Sequence, residues 1–382
     1  MKNMNLKIPP ALVHATQLVR GGRLADATAA IQRVLRGELA AETAAQARPG
    51  ARPIEGECRV VDDAVVLPRA RERTTSGANP APRPVHADAG RFVPGSYAGH
   101  AGTRGYKFYM PAGPHARALP LVVMLHGCTQ SPDDFAAGTR MNELADELGL
   151  AVVYPAQGSD ANASKCWNWF QAQYQQRDRG EPSLIAGITR AVVEQYGLDP
   201  QRVYVAGLSA GGAMAAVMGT TYPDLYAAIG IHSGLAYAAA SDVTSAFAAM
   251  SGNGMLRRQG RARGRDPAPR MVPTIVFHGD SDTTVHPSNG EHVIAQASMP
   301  HADAARSAPA HTAQDVECGV AGGRKYSRTV HVDAAGNAVI EHWVVHGAGH
   351  AWSGGSAKGS YADPAGPDAS REMLRFFFQH AR

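Results

Sequence analysis

From residue 91 onward, short apolar runs alternate with amphipathic stretches. Leu121–Leu125, Ala151–Tyr154, Arg202–Ala206, Ala227–Ile231, Thr274–Phe277 and Val339–Val345 are apolar and rich in β-branched residues, with few interrupting polar positions. Runs of this kind read as strands buried on both faces. Met141–Leu148 and Leu184–Tyr196 lie between them and follow helical spacing. Strand–helix alternation predicts an α/β fold, a mostly parallel central sheet with helices on both faces. Any site should then lie at the carboxyl ends of the strands. Ahead of these, Phe92–Tyr97 and Tyr106–Pro111 predict an early antiparallel strand pair.

The pattern divides the chain into three parts. Residues 1–37 predict a helical hairpin: Leu12, Ala15, Leu18 and Val19 share one face, Gly21-Gly22 turns the chain, and Leu24, Ala27, Ile31, Val34 and Leu35 resume helical spacing. Residues 38–90 are rich in Ala, Arg, Pro and Gly and read as a flexible linker, with a brief strand available within Cys58–Pro68. Residues 91–382 form the α/β domain. Within it, 235–270 is long enough for a cap or lid, and ends in an arginine run (Arg257, Arg258, Arg261, Arg263, Arg265, Arg270) that reads first as a solvated loop.

Composition adds constraints. The chain has 382 residues, 44% hydrophobic and 18% charged, enough for a large core. A net charge of +4 is too diffuse to argue for nucleic acid. No apolar run reaches the roughly 20 residues that span a bilayer. The start of the chain, Met1 to Pro10, lacks the apolar core of about 7–15 residues of a secretory signal, so a cytoplasmic location is expected. Four cysteines in so long a chain do not read as a disulfide framework. A Cys128–Cys166 bridge would join two positions flanking the presumed site, but a reducing cytosol favours the free thiols. The histidines are scattered, with neither His-Glu-x-x-His nor paired Cys-x-x-Cys, so neither metal nor cofactor is expected.

Chemistry enters at Gly207-Leu208-Ser209-Ala210-Gly211. This G-x-S-x-G stretch sits between a predicted strand and the predicted helix that begins at Gly212. That is the setting of a nucleophile elbow, where a sharp turn exposes the serine and leaves no room for side chains at Gly207 and Gly211. A serine hydroxyl needs an imidazole to take its proton and a carboxylate to orient the imidazole. Downstream, Asp280 and Asp282 follow the Thr274–Phe277 strand, and His346 and His350 follow Val339–Val345. This gives the chain order Ser, Asp, His of α/β-hydrolases. The spacing His278-Gly279-x-x-Asp282-x-x-Val285 resembles the acid loop of many such enzymes and favours Asp282, with Asp280 capping the turn. His350, flanked by small residues, suits a reaching loop better than His346, which packing at the strand end would hold. His342, within the strand, reads as structural, and Asp363 and Asp368 fall beyond the histidine. Oxyanion donors are expected from the N–H of Ala210 and from the turn after Leu121–Leu125, Cys128 first and Gly127 next. His126 reads as a structural hydrogen-bonding residue. Trp352, two residues past His350, is expected at the substrate. Trp167 and Trp169 read equally as substrate wall or as core.

Taken together, His126-Gly127-Cys128-Thr129-Gln130, Cys166-Trp167-Asn168-Trp169, Gly207 to Gly212, His278 to Val285 and Gly349-His350-Ala351-Trp352 resemble the polyhydroxybutyrate depolymerase family of esterases, in the arrangement of its first type of catalytic domain. The resemblance runs from about Phe92 to the C-terminus. It implies an α/β-hydrolase fold, Ser209, Asp282 and His350 as the triad, Cys128 at the oxyanion position, and hydrolysis of poly- or oligo-(3-hydroxybutyrate). Feruloyl and acetylxylan esterases share the family, which makes a short-chain or plant-wall esterase the alternative. A non-catalytic polyester-granule protein is a third reading, which the intact Ser–Asp–His set disfavours. The N-terminal hairpin reads mainly as a small docking element packed on the α/β domain or a loosely attached arm; the sharper alternative is that its apolar face binds a polyester (polyhydroxyalkanoate) granule surface or a partner helix. The arginine run could attract carboxylate-ended oligomers.

Overall fold

The computed structural model of the protein describes residues 59–60, 90–253, 272–298 and 312–382. The predicted hairpin of 1–37, nearly all of the 38–90 linker and the arginine run of 254–271 lie outside the described residues. The strands are β1 (Arg59–Val60), β2 (Arg91–Gly99), β3 (Gly102–Met110), β4 (Leu121–Leu125), β5 (Ala151–Pro155), β6 (Val203–Leu208), β7 (Ala228–His232), β8 (Thr274–Gly279), β9 (Thr312–Ala321), β10 (Arg324–Val332), β11 (Ala338–Val345), β12 (Trp352–Ser353) and β13 (Ala362–Asp363). The helices used below are α1 (Pro132–Thr139), α2 (Met141–Leu148), α3 (Gly180–Tyr196), α4 (Ala210–Thr221), α5 (Val243–Ala248), α6 (Ser288–Ala297) and α7 (Ala369–Phe377).

Eleven strands form one sheet in the order β1-β9-β10-β11-β8-β7-β6-β4-β5-β3-β2. The middle six, from β11 through β8, β7, β6 and β4 to β5, are parallel. The β2–β3 pair adds antiparallel at one side through β3 and β5, as expected, and β9–β10 adds antiparallel at the other. Alternation within β4 explains the two-sided burial. Leu121, Val123 and Leu125 point into one core with residues of α3 and α4, such as Ile185, Val192, Met214 and Met218. Val122 and Met124 point into the other with Phe135, Met141 and Leu144 of α1 and α2 and Met373, Phe376 and Phe377 of α7. Each strand residue therefore loses its apolar surface to a helix layer on one side or the other, the reason these segments read as continuous hydrophobic runs.

Two elements depart from the expectation. β9 and β10 were not legible as strands, because their outer positions are polar or exposed, with Val316 and Val320 facing solvent. Their turn, Gly322-Gly323, has φ of 53° and 81°, the positive values a tight hairpin needs. Arg59–Val60 falls within Cys58–Pro68, where a brief strand was available in the linker, and pairs in parallel with Glu317 and Cys318 of β9. Of the expected cap, residues 235–253 are described and contain α5, which continues into a wider turn over Ala249–Asn253. Among the described residues no helix is long and apolar enough to cross a membrane.

Candidate active site

β6 is buried along its whole length and delivers Ser209 at its carboxyl end, with α4 starting at the next residue. Ser209 has φ 58° and ψ −119°, a backbone that side-chain-bearing residues avoid. The turn is held because the Ser209 N–H donates to the His232 carbonyl at 2.9 Å. A Cβ at Gly207 would collide with the Gly211 backbone, and one at Gly211 with the Leu125 carbonyl. Only glycine fits where helix and strand cross this closely, and strain concentrated on one serine is a mark of a functional turn.

β8 and β11 are hydrogen-bonded neighbours, so the loops that leave them meet. The buried Asp282 Oδ1 accepts the N–H groups of Thr284 and Val285, both at 2.9 Å. Its Oδ2 accepts the His350 Nδ1–H at 2.7 Å. His278 Nε2 donates to the Val285 carbonyl at 2.8 Å and lies 3.5 Å from the same Oδ2. Burial opposes the charge on Asp282, but the hydrogen bonds from His278 and His350 and the His350 charge prevail and hold the carboxyl well below its usual range. With Nδ1–H committed to Asp282, the lone pair of His350 is left on Nε2. His350 is hydrogen-bonded to Asp282 and not to Ser209, a contact that commonly forms only with substrate in place. The competing candidates pair with each other: Asp280 accepts from His346 at 2.9 Å and from the Gly347 N–H at 2.7 Å. Asp280 thus holds the histidine loop as well as its own turn.

The turn after β4 carries the expected oxyanion donors, with one correction. The Gly127 N–H is already committed to Gln130 Oε1 at 2.9 Å, so Gly127 is no oxyanion donor. Among the described residues the N–H groups of Cys128 and Ala210 meet no protein acceptor. His126 is structural, as expected: Nδ1 donates to the Gly127 carbonyl at 2.8 Å and Nε2 accepts the Gln157 N–H at 3.1 Å. Burial pushes its pKa down to about 4, so it is neutral at pH 7. Two supporting residues escaped the sequence reading. Gln130 joins the turn to Ser360, and the buried Glu181 accepts from the Gln157 side chain and from both N–H groups of Asn168 within 2.7 Å. Burial raises the Glu181 pKa despite those bonds.

The cysteine expectation was wrong. Cys128 and Cys166 are disulfide-bonded, which ties the presumed oxyanion turn to the loop after β5, and Cys318 is disulfide-bonded as well. Trp352 does not stand open to a substrate as expected, and for Trp167 and Trp169 burial favours the core reading over the substrate wall. Trp167 is 0% exposed and Trp352 1%, and Trp169 is buried with them. Trp352 packs edge-on to Phe135, stacks on His232 and donates from Nε1 to Ser370. Trp167 lies beside the His126 ring. A large aromatic in a loop gains more by folding under the site than by standing in water, about 25 cal/mol per Å² buried. The aromatic that does stand at the site is Tyr361, whose ring lies edge-on to His350. An open depression of about 480 Å³ between Phe170 and Val243 touches none of the candidate triad.

Comparison with known proteins gives the family and the fold. Residues 104–314 match the family model described as Esterase PHB depolymerase. The chain is 35% identical over 250 residues to the poly(3-hydroxyalkanoate) depolymerase C of Paucimonas lemoignei, covering 63% of this chain and 57% of that one. It is 35% identical over 127 residues to the feruloyl esterase B of Neurospora crassa, covering 33% and 42%. The match thus spans about half the length of these curated relatives. Among solved structures, the acetyl xylan esterase from Aspergillus awamori superposes with a TM-score of 0.50 at 19% identity, over 72% of this chain and 94% of that one, a likeness of fold. The chain belongs to the Esterase PHB depolymerase family.

Proposed function

From that membership we propose that the protein is a serine carboxylester hydrolase acting on poly- or oligo-(3-hydroxybutyrate). The observations that carry the chemistry are the buried Asp282–His350 hydrogen bond of 2.7 Å and the strained, positive-φ turn that holds Ser209 at the carboxyl end of β6. Ser209 Oγ attacks the ester carbonyl while His350 Nε2 takes its proton. Asp282 keeps the proton on Nδ1 and stabilises the imidazolium. The oxyanion is held by the N–H groups of Cys128 and Ala210, each worth about 3 kcal/mol of barrier. The tetrahedral adduct collapses as His350 protonates the departing alcohol, leaving Ser209 acylated. Water, deprotonated by His350, then releases the acid and restores the serine.

The named relative from Paucimonas lemoignei supports a polyester substrate. The feruloyl esterase relative favours the second reading, a feruloyl- or acetyl-type esterase. The disulfides favour an oxidising compartment, in place of the cytoplasmic expectation. Contact between the N-terminal segment and a polyester granule remains part of the proposal.

The test is acid release from amorphous 3-hydroxybutyrate polymer and from its soluble oligomers, native chain against Ser209→Ala. Release by the native chain alone supports the reading, and the ratio of the two substrates separates depolymerase from oligomer hydrolase. Cleavage of a short aryl ester with neither of these substrates cut would reject the polyester assignment and move the reading to feruloyl and acetyl esters.

A further inference from the structure

With the three tryptophans buried, the apolar surface offered to a substrate beside His350 comes from Tyr361. Its side of the site is built with care. Tyr361 is 45% exposed, yet its backbone has φ 50°, a strained value for a bulky residue. Its carbonyl accepts the Trp352 N–H at 2.7 Å. The preceding Ser360 is clamped by Asp134, which takes its N–H at 2.9 Å, and by Gln130, which donates to its carbonyl at 2.8 Å. The same Gln130 amide accepts the Gly127 N–H. Tyr361 is therefore held to the framework of the oxyanion turn, while its ring centroid lies 6.4 Å from that of His350, at 78°. Its hydroxyl lies 3.5 Å from Thr129 Oγ1, and Thr129, directly after Cys128, is itself left-handed at φ 67°. An exposed ring on a strained but firmly tied backbone spans the gap between the base and the oxyanion turn.

We propose that Tyr361 determines specificity for the alcohol half of the ester, its ring packing against an apolar leaving group. The inference rests on the ester-hydrolase reading above. His350 must hand its proton to the departing alkoxide, so the leaving oxygen sits at its Nε2, and whatever that oxygen carries lies against the ring beside His350. The acyl chain leaves the carbonyl carbon on the other side. An aromatic face there rewards an alcohol with carbon branches next to its oxygen and gives nothing to methanol.

The experiment uses two esters with one acyl group, methyl butyrate and cyclohexyl butyrate, titrated by acid release. The variants are Tyr361→Gly, which the left-handed backbone accepts, and Tyr361→Phe, which keeps the ring. Tyr361→Gly is expected to lower kcat/KM for the cyclohexyl ester by about tenfold, mainly through KM, and for the methyl ester by less than about twofold. Tyr361→Phe should keep the native ratio. Equal loss on both esters, or an unchanged ratio in Tyr361→Gly, overturns the inference and leaves ester hydrolysis standing. Turnover of neither ester by a native chain that still releases acid from 3-hydroxybutyrate oligomers also overturns the inference, while inactivity on the oligomers as well removes the hydrolase reading and this inference with it.

Discussion

Two carboxylate–imidazole pairs leave the same two neighbouring strands and differ in almost nothing but their surroundings. Asp280–His346 is 2.9 Å long with both side chains 40% exposed, whereas Asp282–His350 is 2.7 Å long with the carboxylate fully buried and the imidazole at 10%. In the first pair, His346 is engaged at both nitrogens, through Asp280 and through Ser327 Oγ at 2.9 Å. In the second, the nitrogen opposite the carboxylate has no protein partner among the described residues. A carboxylate–imidazole pair facing water is screened and contributes little, while one in a dry site orients its imidazole firmly. On the proposed mechanism the chemistry rests on burial and on the unoccupied nitrogen, while the exposed pair joins the two loops.

The sharpest way to break this comparison is to neutralise each carboxylate in turn. Asp282→Asn should lower kcat by about 10⁴-fold, because the amide no longer enforces the tautomer. Asp280→Asn should leave kcat within about threefold and cost less than about 1 kcal/mol of stability, read from urea midpoints. Comparable losses of kcat in the two variants would erase the distinction. A smaller effect concerns acid. Burial lowers the pKa of His126 and His342 to about 4 and of His232 to about 3. Each binds its proton in the unfolded chain near pH 6.5 and in the folded chain only well below that. The unfolded state therefore holds more protons across this window, and stability must fall as pH drops from about 6.5 towards 4, by at most about 1.4 kcal/mol per pH unit for each imidazole. A urea midpoint that stays flat between pH 6.5 and 4.5 would contradict that burial.

What could be read in advance follows from what is local. The elbow was legible because strand, serine and helix are contiguous, and because crowding at Gly207 and Gly211 leaves no other residue possible. The parallel strands were legible because burial on both faces writes an unbroken apolar run. The choice between Asp280 and Asp282 needed tertiary pairing, which a motif spacing only favoured. Trp352 was misplaced because an aromatic near a catalytic loop reads the same whether it lines the site or packs beneath it on Phe135 and His232. The Gly127 N–H was misassigned because its partner, the Gln130 side chain, is set by a rotamer that no pattern encodes. The Cys128–Cys166 bridge was passed over because the compartment was argued from the first residues of the chain, which carry no information about thiols far along it.

The most direct test of the account is the rate at which a fluorophosphonate labels the protein, with the modified residue located by peptide mass. The account predicts one adduct, on Ser209, formed at a near-native rate in Asp280→Asn and slowed by orders of magnitude in Asp282→Asn. An adduct on another residue, or equal slowing in the two variants, would contradict it.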